Sequence, residues 1–140
     1  MSGLCQTGGV AKKIPVAEWQ AALATVLDGD AERNAVATAV RGLLQDLAAR
    51  YPGNAVEVRV PPYGAVQCVE GPGHTRGTPP NVVELQADAF LELAVGRAGW
   101  EALRQAGRIS ASGARSDIGG LFPLLARSEI ERIQMNHQAE

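Results

Sequence analysis

A polar segment that is rich in glycine and proline, residues 71–81, lies between two stretches with the composition of buried β-strands. It contains three glycines, three prolines and no large apolar side chain. Because proline cannot donate to a strand ladder and glycine favours turns, this segment must leave the sheet as a loop. Its polar side chains include those of His74, Thr75, Arg76 and Thr78. The loop either only connects two strands or holds an anion, and the pattern leaves both interpretations open.

Alternating apolar residues predict three strands around this loop. Val56, Val58 and Val60 alternate with charged residues, which is typical of a strand with one buried face. Residues 65–70 form a second strand, close enough to the first to make a hairpin, and residues 81–86 form a third. Because the second strand is more apolar than the first, we expect it to be the more central one.

Apolar residues at intervals of three and four predict helices before and after these strands. The first helix begins at Pro15, and Asp30 is the expected N-cap of the second. Asp88 is expected to cap a short helix, and Trp100 to open another. Residues 108–114 follow as a strand of unusually small residues.

Two further helices are predicted near the carboxyl terminus. Apolar residues within 117–125 have helical spacing, although two glycines and a proline in this stretch lower its helix propensity. Ser128 and Glu131 have the spacing of a capping box, which predicts a terminal helix with few apolar residues.

The whole pattern fits one domain. With 140 residues, of which 46% are hydrophobic, the chain can build one core and is too short for two large ones. We expect a flexible amino terminus over residues 1–14, a single domain over residues 15–126 and a polar helical tail over residues 127–140.

Charge and hydropathy narrow the range of partners. A net charge of -2 gives no concentrated basic surface, so nucleic acid is not an expected partner. No apolar run is long enough to span a bilayer, so stable membrane insertion is not expected either. The lysines near the amino terminus are not arranged as in a secretory signal, and we therefore expect a cytoplasmic protein.

Residues that carry catalysis or bind metals are few. The two histidines are His74 and His137, and the two cysteines, Cys5 and Cys68, are far apart in the sequence. A three-histidine zinc site cannot be built from this set, and no nucleophile-elbow motif is present. We therefore expect no metal, no cofactor and no enzymatic activity.

Residues 88–125 resemble part of a known superfamily. Residues 88–96 read Asp-Ala-Phe-Leu-Glu-Leu-Ala-Val-Gly, and residues 107–113 read Gly-Arg-Ile-Ser-Ala-Ser-Gly. This order of helix, glycine, short helix and strand ending in glycine resembles the sterol carrier protein type-two-like superfamily. Residues 58–70 more narrowly resemble the bacterial sterol carrier family proteins. The resemblance implies an α/β (α+β) fold, with a mostly antiparallel twisted sheet of four to five strands covered on one face by helices.

The resemblance also implies non-catalytic binding or carriage of a small hydrophobic or amphipathic ligand, fatty acyl or sterol-like. Such a ligand needs a cavity, which small side chains leave open where layers would otherwise interlock. The alternative is that the small residues only let a helix lie close to the sheet. The polar loop would orient a carboxylate or phosphate at the entrance. The residues expected to line the cavity are Phe90, Leu91, Ala111, Gly113, Leu121 and Phe122.

A second hypothesis is an accessory or interaction domain, related to the sterol-carrier-like domain of thiol-dependent isomerases. Trp19, Trp100 and the apolar residues of 121–125 would then form a partner surface, and a homodimer is one way to cover it. The two tryptophans are equally explained as anchors of the core.

Overall fold

The computed structural model describes residues 13–71 and 81–139. The loop residues His74, Thr75, Arg76 and Thr78 and most of the predicted flexible amino terminus lie outside these ranges. In chain order the elements are α1 (Val16–Leu27), α2 (Arg33–Arg50), β1 (Val56–Val60), β2 (Gly64–Cys68), β3 (Val82–Leu85), α3 (Ala87–Val95), α4 (Trp100–Gln105), β4 (Ile109–Ser112), a 3₁₀ turn (Gly119–Leu121) and α5 (Arg127–Gln138).

The described strands form one four-stranded sheet in the order β2-β1-β3-β4. The β1–β2 and β3–β4 pairs are antiparallel, and the β1–β3 pair is parallel. The sheet is therefore mixed but mostly antiparallel, which confirms the predicted fold class. The central position predicted for β2 is wrong, because β2 lies at the edge and β1 has a partner on each side. The apolar content of β2 comes partly from small residues, and Gly64 and Ala65 are exposed.

The helical layer covers the face of the sheet that carries Val56, Val58 and Val60. Within this layer α1 and α2 pack so closely that a Cβ at Gly42 would lie 2.1 Å from Cγ of Trp19. Trp19 is thus an anchor of the core. The predicted N-cap Asp30 is wrong, because the Glu32 side chain accepts from the first-turn N–H groups of α2, at 3.0 and 3.1 Å.

The helix predicted within residues 117–125 is also wrong. Only the 3₁₀ turn forms there. Residues 122–126, which we call the extended segment, follow without regular secondary structure and begin and end in extended backbone. The N–H groups of Leu124 and Leu125 donate to the carbonyl of Ala94. Leu124 and Leu125 are buried, so their helical spacing reflects packing on α3 rather than a helix of their own. The glycines and the proline explain why the backbone can leave the helical conformation here.

Helix α5 packs along α1 and buries Ile133. It begins at Arg127, and Glu129 accepts from the N–H of Ala126 at 2.8 Å. The Ser128–Glu131 capping box is therefore wrong by two residues. Among the described helices, none combines the length and the apolar character needed to cross a membrane.

Candidate ligand-binding site

Helix α3 separates two apolar environments. On one side, Phe90 is fully buried and meets Phe122 edge to face, with ring centroids 6.5 Å apart. Phe122 in turn stacks on Trp100, at 6.4 Å between ring centroids and 11° between ring planes. These rings contact each other and close this side of the helix. Phe90 and Phe122, which were predicted to face a ligand, thus face one another.

The other side of α3 opens into a groove of about 320 Å³, which we call the α3 groove. Leu91 belongs to its wall. The groove lies where the end of α1 and the start of α2 approach α3, and most of its lining side chains are apolar. It is lined by Val26, Leu27, Ala31, Val36, Ala87, Asp88, Leu91, Glu92, Val95 and Arg97.

A second groove of about 620 Å³, the α5 groove, lies between the end of α3, the extended segment and α5. Its lining is more polar and includes two arginines, a glutamate and a glutamine. Val95 and Arg97 line both grooves, so the two grooves meet at the carboxyl end of α3. The α5 groove is lined by Val95, Gly96, Arg97, Pro123, Leu125, Ala126, Arg127, Ile130, Glu131 and Gln134.

A third cleft, of about 850 Å³, lies at the end of the sheet where β3 enters α3. Arg108 crosses its rim and bonds to Asp88 at 2.9 Å and to Glu92 at 3.1 Å. The hydrogen bond to Glu92 and the charges of both carboxylates raise the pKa of Arg108 above its ordinary value. Asp88 and Glu92 also line the α3 groove, so this one arginine offsets one of the two negative charges at the rim of that groove.

The small residues of the predicted cavity lie elsewhere. Ala111 and Gly113 are exposed at and just beyond the edge strand β4, and neither lines the α3 groove. Leu121 is half-buried in the 3₁₀ turn. Gly119 is small for a packing reason, because a Cβ there would lie 2.7 Å from Cγ of Trp100. The six predicted residues are thus divided among different environments, and of these six Leu91 alone belongs to the α3 groove.

Several residues of the groove were not predicted as site residues. Leu27 and Val36 read as ordinary members of helical apolar stripes, and Arg97 as a polar residue after a helix. Their proximity depends on how the ends of three helices meet, and no spacing along the sequence reports it. The sequence does offer a signal for the end of α3, and so for the position of Arg97. It is Gly96, whose left-handed φ of 82° ends the helix.

A family model described as bacterial SCP ortholog matches residues 32–124 of this chain. The chain belongs to the bacterial sterol carrier protein family. The matched range includes α2, all four described strands, α3 and α4, and it confirms the resemblance seen in the sequence. Among curated proteins, none matches the chain.

The boundaries of the match divide the α3 groove of this sterol carrier family member. Val36, Leu91, Val95 and Arg97 lie inside the matched range. The wall formed by the end of α1, with Leu27, lies outside it. The groove is therefore built by the family domain together with the helix that precedes it.

Proposed function

We propose that this protein binds and carries a small hydrophobic or amphipathic molecule without catalysing a reaction, and that the α3 groove holds the apolar part of that molecule. The observation that carries this proposal is the groove itself. Leu27 and Val36 are half-buried in its wall, Leu91 is 7% exposed, and family membership supports a carrier-type role.

The size of the groove favours one hydrocarbon chain. Ligand pockets usually measure about 300–1,000 Å³, so a groove of about 320 Å³ lies at the lower limit. Burial of about ten methylenes would contribute roughly 8 kcal/mol before the costs of association are subtracted. A single hydrogen bond contributes about 1 kcal/mol, so the apolar walls would determine most of the affinity.

The open side of the groove suits a carrier. The walls come from the end of α1, the start of α2 and one side of α3, whereas Leu23, Val40 and Phe90 of these helices are fully buried in the core. A chain can therefore enter and leave without disrupting those residues, which an exchangeable ligand requires.

The proposal is tested by titrating the protein with dodecanol below its solubility limit and measuring heat or displacement of a fluorescent probe. We expect saturable binding of one dodecanol per chain. Leu27→Gln places a polar group in the wall and Ala31→Trp fills the groove, so each should weaken binding at least about tenfold. Val16→Gln is the matched control, because Val16 is an apolar residue of α1 that is 56% exposed and does not line the groove.

Thermal unfolding of each variant separates lost binding from lost folding. The proposal fails if the wild-type protein shows no saturable binding. It also fails if both groove variants, folded, bind as the wild type does. A protein that binds no hydrocarbon and co-purifies with an enzyme would favour the accessory role instead.

A further inference from the structure

Arg97 lies where the α3 and α5 grooves meet, at a position that the backbone fixes. Helix α3 ends at Val95, and Gly96 takes the left-handed conformation at φ 82°. The N–H of Arg97 then donates to the carbonyl of Glu92 at 2.8 Å, which closes the helix end. A Cβ at Gly96 would meet Pro123 at 3.5 Å, so the extended segment borders this turn.

Arg97 is the basic side chain that lines both the α3 groove and the α5 groove. Asp88 and Glu92, the acidic groups of the α3 groove, are both held by Arg108. Arg97 is exposed and forms no ion pair with any residue in the described ranges.

In the α5 groove, unlike the α3 groove, the charges of the lining favour an anion. Glu131 is the acidic group of its lining, and Arg127 approaches it at 3.9 Å. Arg97 and Arg127 together therefore outnumber the acidic groups that line this groove.

We propose that Arg97 selects the ligand by charge, so that the protein prefers a single-chain amphiphile with a phosphate-bearing head over a neutral one. This inference rests on the proposed function. The chain lies in the α3 groove, and the head lies beside Arg97 and extends into the α5 groove. That groove is about 620 Å³ against about 320 Å³ for the α3 groove, which leaves room for a head larger than a carboxylate. A guanidinium matches phosphate oxygens in paired geometry, which supports phosphate as the anion.

The test compares probes that share one tail and differ in the head: dodecyl phosphate, dodecanol and dodecyltrimethylammonium, all below their micelle concentrations. We expect the wild-type protein to bind dodecyl phosphate about tenfold more tightly than dodecanol, which corresponds to about 1.4 kcal/mol. The ammonium probe should bind most weakly. The preference should decrease as salt rises, because Arg97 is exposed to solvent.

Two arginine variants show whether the preference depends on this position. Arg97→Gln should lower the ratio of the dodecyl phosphate affinity to the dodecanol affinity from about tenfold to about one. Arg132→Gln is the matched control, since Arg132 is an exposed arginine of α5 that lines neither groove, and it should bind both probes as the wild type does.

The outcomes separate this inference from the proposed function. Equal binding of dodecyl phosphate and dodecanol, or a preference that Arg97→Gln retains, would overturn the inference and leave the carrier function standing. Inorganic phosphate that binds as tightly as dodecyl phosphate would overturn it as well, because the tail would then contribute nothing. If the wild-type protein binds none of the tailed probes, both proposals fail together.

Discussion

The two sides of α3 carry apolar residues of the same kind, but one side is packed and the other is open. Phe90 and Leu91 are neighbours in sequence, yet Phe90 is closed in by Phe122 while Leu91 borders the α3 groove. Neighbouring helical positions are about 100° apart around the axis, so adjacent residues face different surroundings. The extended segment covers one side, whereas the other side borders the α3 groove. The difference shows that packing around the helix, and not its composition, determines which side of the helix is open.

The largest expected effect breaks the closed side. Phe90→Ala removes a ring that is fully buried against Phe122, and we expect the free energy of unfolding to fall by about 3–5 kcal/mol. Leu91→Ala, on the open side, should cost less, because Leu91 borders a groove. Urea denaturation of the two variants checks the order, and an equal or larger loss for Leu91→Ala would contradict the distinction between the sides.

The next prediction concerns two adjacent glycines. Gly119→Ala would place a Cβ 2.7 Å from Trp100, and we expect a loss of about 1–3 kcal/mol as the aromatic stack is displaced. At Gly120 no atom lies within 4 Å of the added Cβ, so Gly120→Ala is the matched control and should be nearly neutral. The comparison is made by thermal unfolding, and equal losses at the two positions would show that Trp100 does not limit residue 119.

The smallest expected effect concerns the stability contributed by Cys68, a buried residue of β2. Burial raises the pKa of the Cys68 thiol to about 11, from an ordinary value of 9.0. The unfolded chain therefore loses this proton at lower pH than the folded protein does. The protonated thiol therefore leaves the free energy of unfolding unchanged below pH 9. As the pH rises towards 11, the free energy of unfolding falls, by up to about 2 kcal/mol.

Denaturation at pH 8 and at pH 10.5 measures this loss. Cys68→Ala removes the titrating thiol, so its stability should fall less between the two pH values than that of the wild type. Parallel decreases in the two proteins would mean that the thiol is reached by water in the folded state.

Local patterns predicted the order of helices and strands well, because periodicity of 3.6 or 2 depends on neighbours in the sequence. They failed where tertiary packing decides. The apolar content of β2 does not report that, among the described strands, β1 alone pairs with it. Leu124 and Leu125 are held on α3 by hydrogen bonds to Ala94, which their apolar character does not reveal.

The candidate site was less predictable than the fold. The α3 groove combines residues from the end of α1, the start of α2 and the length of α3, and these elements are distant in the chain. Leu91 was identified from the family resemblance, but its partners Leu27, Val36 and Arg97 were not. The family match, which covers residues 32–124, also carries no information on the wall supplied by α1.

The most direct test of the account is an NMR titration with dodecanol of protein labelled at its methyl groups and at Phe90 and Phe122. The account predicts saturable shift changes at the methyls of Leu27, Val36 and Leu91, with the two rings unchanged. Shift changes centred on Phe122 and Leu121 would place the ligand on the aromatic side of α3 and contradict the account. The absence of any saturable change would contradict it as well.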